Sequence, residues 1–189
     1  MRMRILTFGH GTAAPALIVR LLRAADIELL VDVRTAPGSR RNPQVARTAM
    51  ERWLPDAGIG YRWEKRLGGW RKPPTESPDT ALRNRSFAGY AAHMRSPEFL
   101  AAVDDLFDEA SQKRLAVMCA EAVWWRCHRK LLADPLVLVR TADVRHLMHD
   151  GSVRVHQPSV EARLDPTLGG LVYDAGQQPL TDLEGLGSS

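Results

Sequence analysis

The sequence lacks any long apolar run, and this absence limits what the protein can be. No stretch approaches the roughly eighteen consecutive apolar residues of a transmembrane helix, so we expect no membrane span. Residues 1–10 also lack the apolar length and the cleavage site of a secretory signal peptide. The sequence therefore predicts a cytoplasmic protein with no membrane partner.

Cysteine is scarce as well, since the chain contains only Cys119 and Cys127. Two cysteines without a secretion signal do not make a disulfide scaffold, so they are buried thiols, a redox pair or metal ligands. The C-x7-C-H spacing matches no standard structural zinc pattern, even if His10 is added to His128. Cys127 and His128 are also adjacent and awkward as ligands of one metal. We therefore predict no metal and no cofactor.

Positive charge is present but unevenly spread along the chain. The formal net charge is +4, yet residues 34–85 contain twelve Lys or Arg against five Asp or Glu. A basic surface of this kind favours anionic partners, namely phosphate-bearing ligands or nucleic acid. The alternative is an arginine-rich surface that is merely solvated.

The apolar pattern predicts a single α/β domain, because short buried strands alternate with amphipathic helices. We expect a three-layer sandwich with a mostly parallel sheet and helices on both faces, similar to a Rossmann fold. The domain is expected to span residues 1–157, and residues 158–189 to form an irregular, partly disordered tail. The predicted strands lie at 3–8, 28–33, 59–63, 114–118, 144–148 and 153–156. The predicted helices begin after Thr12 and near Pro43, Phe87, Ser96 and Arg126.

Polar side chains follow three of the predicted strands at the point where each strand ends. His10 follows the first strand, Asp32 and Arg34 the second, and Cys119 and Glu121 the fourth. Ligands of open parallel sheets bind outside the carboxyl ends of the strands. The sequence therefore predicts one polar site at this rim, although Asp32 and Arg34 can equally form a structural ion pair.

The segment after the fourth strand contains the residues with the most chemical potential. Cys127 is predicted in the first turn of a helix, where the helix dipole and the flanking arginines would lower the pKa of its thiol. It is therefore a candidate nucleophile, with packing in the core as the alternative. Glu121, His128 and His10 are candidate acid/base groups.

The same segment also contains candidate ligand-binding residues. Arg126, Arg129 and Lys130 are spaced to share one face near a helix N-terminus, which is a favourable place for an anion. Trp125 is a candidate for stacking on a base or a sugar, although a tryptophan here can also fill the core.

The stretch 64–85 has no helical or strand periodicity and predicts a long loop. Its residues 65–72 interleave four cations with Trp70, as a lid over an anionic ligand would. The alternative is a plain mobile loop.

Several short motifs together resemble one known family, the domain of unknown function 488. They are Thr7-Phe-Gly-His-Gly11, Asp32-Val-Arg34 with Pro37 and Ser39, Leu67-Gly-Gly69, Phe87-x-x-Tyr90, Cys119-x-Glu121, Cys127-His-Arg129, and Val144-Arg-His146 with Gly151 and His156. The resemblance covers about residues 3–157. It implies an α/β domain and places His10, Asp32, Arg34, Glu121 and residues 127–129 among the characteristic polar positions. It implies no settled activity.

The sequence is compatible with three functions. The first is an enzyme that acts on a phosphate-bearing substrate such as a nucleotide or nucleic acid. The second is a non-catalytic nucleic-acid-binding module that uses the basic loop and its tryptophans. The third is a thiol-based redox protein that uses Cys119 and Cys127.

Overall fold

A six-stranded sheet forms the centre of this computed structural model, which describes residues 2–38 and 40–176. Its strand order is β3-β2-β4-β1-β5-β6, and all neighbouring pairs are parallel except β5 and β6. The strands are β1 (Arg4–Gly9), β2 (Leu29–Asp32), β3 (Gly60–Trp63), β4 (Leu115–Cys119), β5 (Asp143–Leu147) and β6 (Val153–Val155). The parallel β4 and β1 lie at the centre, so the carboxyl ends of β2, β4 and β1 are neighbours.

Helices cover both faces of the sheet, which confirms the predicted three-layer α/β architecture. They are α1 (Pro15–Ala24), α2 (Arg47–Asp56), α3 (Arg85–Met94), α4 (Pro97–Gln112) and α5 (Arg129–Leu138). Alternate residues of the buried strands point to opposite faces, and so divide the core in two. One core joins the sheet to α1 and α2, and the other joins it to α3, α4 and α5. The near-continuous apolar runs of β2 and β4 result from burial on both faces.

Capping residues and prolines mark the starts of α1 and α4, and the start of α1 differs from the prediction. The Ser96 hydroxyl accepts from the Phe99 amide at 3.2 Å and caps α4, as predicted. The first helix was expected directly after Thr12, but Thr12 is exposed, and α1 begins at Pro15 with no side-chain cap. Proline has no amide hydrogen, so the first turn of this helix has one donor fewer that needs a cap.

The helix after β4 begins later than predicted, and this changes the position of Cys127. Residues Trp124–Arg126 form a separate 3-10 turn, and Cys127 then has an extended backbone. The helix α5 starts at Arg129, so the prediction that Cys127 lies in its first turn was wrong. Trp124 of this loop packs against the structure below it and stacks flat on His146, with ring centres 3.9 Å apart, and the helix begins only after this contact.

The C-terminal segment contains regular structure that the sequence pattern missed. Strands β7 (Ala162–Asp165) and β8 (Gly170–Tyr173) form an antiparallel hairpin, where an irregular tail was expected. The hairpin is held by its buried side, since Leu171 and Tyr173 belong to the main core. The rest of the expected irregular tail, residues 177–189, lies outside the described residues, as does Ser39.

Within the described ranges, no helix has the length and apolar character that crossing a membrane requires.

Candidate functional site

A small pocket opens at the carboxyl end of the sheet, where the sequence predicted a site. This rim pocket has a volume of about 230 Å³. Its wall consists of Arg34, Thr35, Ala36, Gly69, Trp70, Ser86, Phe87, Cys119, Ala120, Arg126, Cys127 and His128. A larger groove of about 920 Å³ lies at the other end of the sheet, beside the start of β4, and contains none of the predicted site residues. The convergence of predicted residues, rather than size, makes the rim pocket the candidate site.

Asp32 and Arg34 form a buried ion pair at the end of β2. The Arg34 guanidinium donates twice to the carboxylate, with Nε to Oδ1 at 2.9 Å and Nη2 to Oδ2 at 2.5 Å. The Tyr61 hydroxyl donates to the same carboxylate at 2.5 Å. Burial and the negative charge of Asp32 together raise the pKa of Tyr61, which keeps it protonated as a donor. The positive charge of Arg34 is therefore largely balanced inside the protein.

His10 lies behind Arg34 and does not line the rim pocket. Its Nδ1 is 2.9 Å from the Gly11 carbonyl, and its Nε2 is 3.2 Å from Arg34 Nη1. The carbonyl can only accept and the guanidinium can only donate, so Nδ1 carries the proton and Nε2 accepts. Burial and the nearby Arg34 charge lower the pKa of His10, in agreement with this neutral form. The geometry makes His10 a support for Arg34.

Cys119, Cys127 and His128 form a compact group, here called the sulfur–imidazole cluster. His128 Nδ1 lies 3.7 Å from Cys119 Sγ and 3.5 Å from Cys127 Sγ. All three residues are buried and all three line the rim pocket. The ring is held in place by the edge of Tyr90, whose ring centre is 5.0 Å away, and by Gly69.

The two thiols of this cluster are not equivalent. The interaction with Cys119, aided by His128 and the charge of Arg129, lowers the pKa of Cys127. The same interaction and burial raise the pKa of Cys119. Cys127 is therefore the more acidic thiol of the pair. The sequence predicted that a helix N-terminus lowers the pKa of Cys127. The residue precedes α5, and its pKa is lowered instead by Cys119, His128 and Arg129.

Arg129 is buried and holds the loop of residues 120–128 against β1. Its Nη2 donates to the Glu121 carbonyl and, at 3.5 Å, to the Ala122 carbonyl. Its Nη1 donates to the Thr7 hydroxyl at 3.4 Å. The guanidinium is 1% exposed and does not line the rim pocket, so in this structure it supports the loop rather than meeting a ligand.

A buried chain of hydrogen bonds continues from Thr7 into the protein. Thr7 Oγ1 is 2.6 Å from His146 Nδ1, His146 Nε2 is 3.0 Å from His156 Nδ1, and His156 Nε2 is 2.9 Å from Asp134 Oδ1. The Tyr173 hydroxyl donates to the other oxygen of Asp134 at 2.8 Å. Every contact is satisfied when Thr7 donates to His146, His146 to His156, and His156 to Asp134. This direction requires a neutral His146.

His146 should make the protein less stable in acid, and this can be measured. Burial, followed by the charges of His156 and Arg129, lowers the pKa of His146 to about 3 in the folded state. The unfolded chain binds that proton near its ordinary pKa of about 6.5, so stability falls as the pH drops from about 6.5 towards 3. We expect His146→Gln, which keeps a donor and an acceptor, to reduce the slope by up to about 1.4 kcal/mol per pH unit. Urea unfolding of both proteins between about pH 7 and about pH 4 measures the slope; equal slopes would contradict the assignment.

The remaining predicted residues of this segment are separated by the structure. Arg126 is exposed and lines the rim pocket, whereas Arg129 is buried and Lys130 lies outside the pocket wall. The prediction that these three cations share one helix face was wrong, because Arg126 precedes the helix and Arg129 points inward. Glu121 is exposed, and its carboxylate accepts from the Val123 amide at 3.0 Å instead of pairing with an arginine. Trp125 is 50% exposed. It precedes Arg126 in the chain but is not part of the pocket wall.

The predicted lid is only partly present in the long loop after β3. Trp70 is 75% exposed and lines the rim pocket. Arg66 is paired with Glu64 and Asp105, and Arg71 donates to backbone carbonyls of the loop itself. The loop therefore contributes an aromatic wall, and two of its four cations are engaged within the protein, whereas Lys65 and Lys72 are exposed.

The structure also adds residues to the pocket that were not predicted to bind a ligand. Thr35 and Phe87 line the rim pocket, and the Thr35 hydroxyl accepts from the Trp70 amide at 3.1 Å. A side chain at Gly69 would place its Cβ 2.5 Å from His128 Cγ and Nδ1, so only glycine lets the loop approach the imidazole this closely. The Leu67-Gly-Gly69 motif was the available signal for this contact.

The fold and the pocket together define an α/β protein with a sulfur–imidazole site at the rim of a parallel sheet. The chain belongs to the family described as domain of unknown function DUF488, whose model matches residues 15–136. The matched range includes Asp32, Arg34 and the sulfur–imidazole cluster, while His10 and His146 lie outside it. Comparison with curated proteins and with solved structures finds no match.

Proposed function

We propose that the protein is an enzyme that acts on a small phosphate-bearing substrate in the rim pocket. One observation carries this proposal: an exposed guanidinium and the sulfur–imidazole cluster line the same small cavity. Arginine is a preferred partner of phosphate groups, and cysteine and histidine are frequent reactive groups of enzymes. A pocket that combines both types is typical of an active site.

The cation that meets the substrate is Arg126 rather than Arg34. Among the residues that the structure describes, Arg126 forms no ion pair, whereas Arg34 is bound to Asp32. The pocket volume of about 230 Å³ is smaller than the ~300–1,000 Å³ of sites for drug-sized ligands. It is suited to a phosphate and the atoms next to it, with Trp70 and Phe87 against the rest of the substrate.

The reacting bond would lie against the sulfur–imidazole cluster, because this is the chemically active part of the wall. Of the four residues predicted to be catalytic, Cys127 and His128 line the pocket, whereas His10 and Glu121 do not. In this proposal His10 orients Arg34, and Glu121 shapes the loop through its contact with the Val123 amide.

Removal of the Arg126 guanidinium tests the proposal at its binding step. We expect Arg126→Ala to weaken the binding of inorganic phosphate by about 10- to 100-fold, since a hydrogen bond to a charged group contributes about 1.5–3 kcal/mol. Arg20→Ala removes an exposed arginine from α1 and serves as the matched control. Calorimetric titration with phosphate compares the two variants with the unmodified protein. Equal affinities for all three, or no phosphate binding at all, would refute the proposal.

A non-catalytic nucleic-acid-binding module is the second candidate function. It is favoured by the two exposed tryptophans of the rim, Trp70 and Trp125, because bases of single strands stack on such side chains. It is weakened by the ion pairs of Arg66, which leave fewer free cations in the loop. Titration with a single-stranded oligonucleotide separates the two functions: loss of oligonucleotide binding in Trp70→Ala, without phosphate turnover by the unmodified protein, supports the module.

A further inference from the structure

We propose that Cys119, Cys127 and His128 bind one zinc ion at the wall of the rim pocket. The three ligand atoms, two Sγ and Nδ1, all lie within 4.8 Å of one another. This site was not predicted from the sequence, because Cys127 and His128 are adjacent. In the structure the short reach of Nδ1, together with the extended backbone of Cys127, brings both side chains to the same point.

The distances agree with tetrahedral zinc. Bonds of about 2.3 Å to sulfur and about 2.0–2.1 Å to nitrogen, at a tetrahedral angle, place sulfur and nitrogen about 3.6 Å apart. The observed separations from His128 Nδ1 are 3.7 Å for Cys119 and 3.5 Å for Cys127. The position of the His128 ring relative to each sulfur therefore already fits a shared zinc ion.

The charges also favour zinc over a harder cation. Thiolate and imidazole are ligands that select zinc over magnesium or calcium, which prefer oxygen. Two thiolates balance the charge of Zn²⁺, so the complex is itself neutral, and the Arg129 guanidinium lies close to both sulfurs. On binding, each thiol that still has its proton releases it to solvent as its sulfur bonds to the metal.

Three protein ligands leave one coordination position, and the pocket is where it opens. All three ligand residues line the rim pocket, so the fourth position is available to water or to a substrate oxygen. Zinc sites with three protein ligands and one open position are typical of catalysis rather than of structure. This last role rests on the proposed function, whereas zinc binding itself does not.

Cobalt substitution tests the site directly, because Co²⁺ occupies tetrahedral zinc sites and reports thiolate bonds by absorbance. We expect the full chain to bind one equivalent of Co²⁺, with a sulfur-to-cobalt charge-transfer band and intense visible bands that Zn²⁺ abolishes. In Cys127→Ser and His128→Gln the affinity for Co²⁺ should fall at least about 100-fold. Loss of a residue that only supports a metal ligand already costs about 10- to 100-fold, and these two residues are ligands themselves. His93→Gln, a half-buried histidine outside the cluster, is the matched control and should keep the spectrum.

Two outcomes would overturn the zinc proposal. One is a protein that shows no charge-transfer band at saturating Co²⁺, which leaves a bare thiol cluster or a disulfide. The other is a band that persists in both ligand variants. Where a variant fails to fold, alkylation of the unmodified protein decides: zinc must protect both thiols, and equal labelling with and without zinc contradicts the site. Arg126→Ala should bind Co²⁺ normally but lose phosphate, so failure of the zinc site and failure of the proposed function are distinguishable.

Discussion

Replacement of Asp134 by alanine is expected to destabilise the protein by about 3–5 kcal/mol, because several buried donors would lose their acceptor. Asp134 is fully buried and accepts from His156 Nε2 at 2.9 Å, the Ser159 amide at 3.0 Å and the Tyr173 hydroxyl at 2.8 Å. These bonds connect α5 to the segment after β6 and to β8. The variant therefore loosens the C-terminal hairpin as well as the hydrogen-bond chain that ends at Thr7.

Urea unfolding and thermal unfolding both measure this loss. A change of this size corresponds to a melting temperature lower by about 6–20 °C in a chain of this length. Asp104→Ala is the control, since Asp104 forms an exposed ion pair with Arg140, and such pairs contribute about 0–1 kcal/mol. A loss of less than about 1 kcal/mol in Asp134→Ala would show that the buried network does not form as described.

The layers of the fold were predictable because the apolar pattern is strong where burial is complete. β2 and β4 are buried along their whole length, and their apolar runs identify them as inner strands of a parallel sheet. The β7–β8 hairpin was missed because Leu171 and Tyr173 are buried by contact with distant parts of the chain, such as Asp134. A sequence pattern reports local periodicity, and it does not report tertiary partners of this kind.

The position of the site was predictable for a topological reason, but its internal arrangement was not. Parallel strands bring their carboxyl ends together whatever their residues, so Arg34 and Cys119 had to become neighbours. Which side of the loop each residue faces depends on where the helix begins. Because α5 starts at Arg129, Cys127 faces the pocket and the arginine turns inward to the loop carbonyls. Both Arg126 and Arg129 were predicted to bind the ligand, and the shift of a few residues in the helix start leaves only Arg126 at the pocket.

The two cysteines are also more central to the site than the sequence suggested. From spacing alone, neither a metal nor a redox pair was favoured, and the cations and Glu121 were the more informative residues. In the structure Glu121 turns away to the Val123 amide, while Cys119, Cys127 and His128 meet at the pocket wall. The extended conformation of Cys127 is the feature that makes this possible, and no residue pattern in the sequence encodes it.

The second large effect is expected from Gly69→Ala, which changes none of the proposed ligands. An added Cβ would lie 2.5 Å from His128 Cγ and Nδ1 and 3.0 Å from its Cβ, distances that ordinary packing does not allow. The imidazole cannot retreat easily, because Tyr90 packs against it at 5.0 Å. We therefore expect the ring to leave the cluster and the affinity for Co²⁺ to fall by about 100-fold or more, as when a supporting group of a metal site is lost.

Gly38→Ala is the matched control for this variant, since a Cβ at Gly38 would have no heavy atom within 4 Å. Cobalt titration of both variants, with phosphate titration beside it, separates the consequences. Gly69→Ala should bind Co²⁺ about 100-fold more weakly than the unmodified protein, whereas Gly38→Ala should keep the unmodified affinities for Co²⁺ and phosphate. Unchanged cobalt affinity in Gly69→Ala would mean that His128 can move and still bind, or that it is not a ligand. Because the substitution acts through the position of one ring, its result tests the geometry of the cluster rather than the mere presence of two thiols.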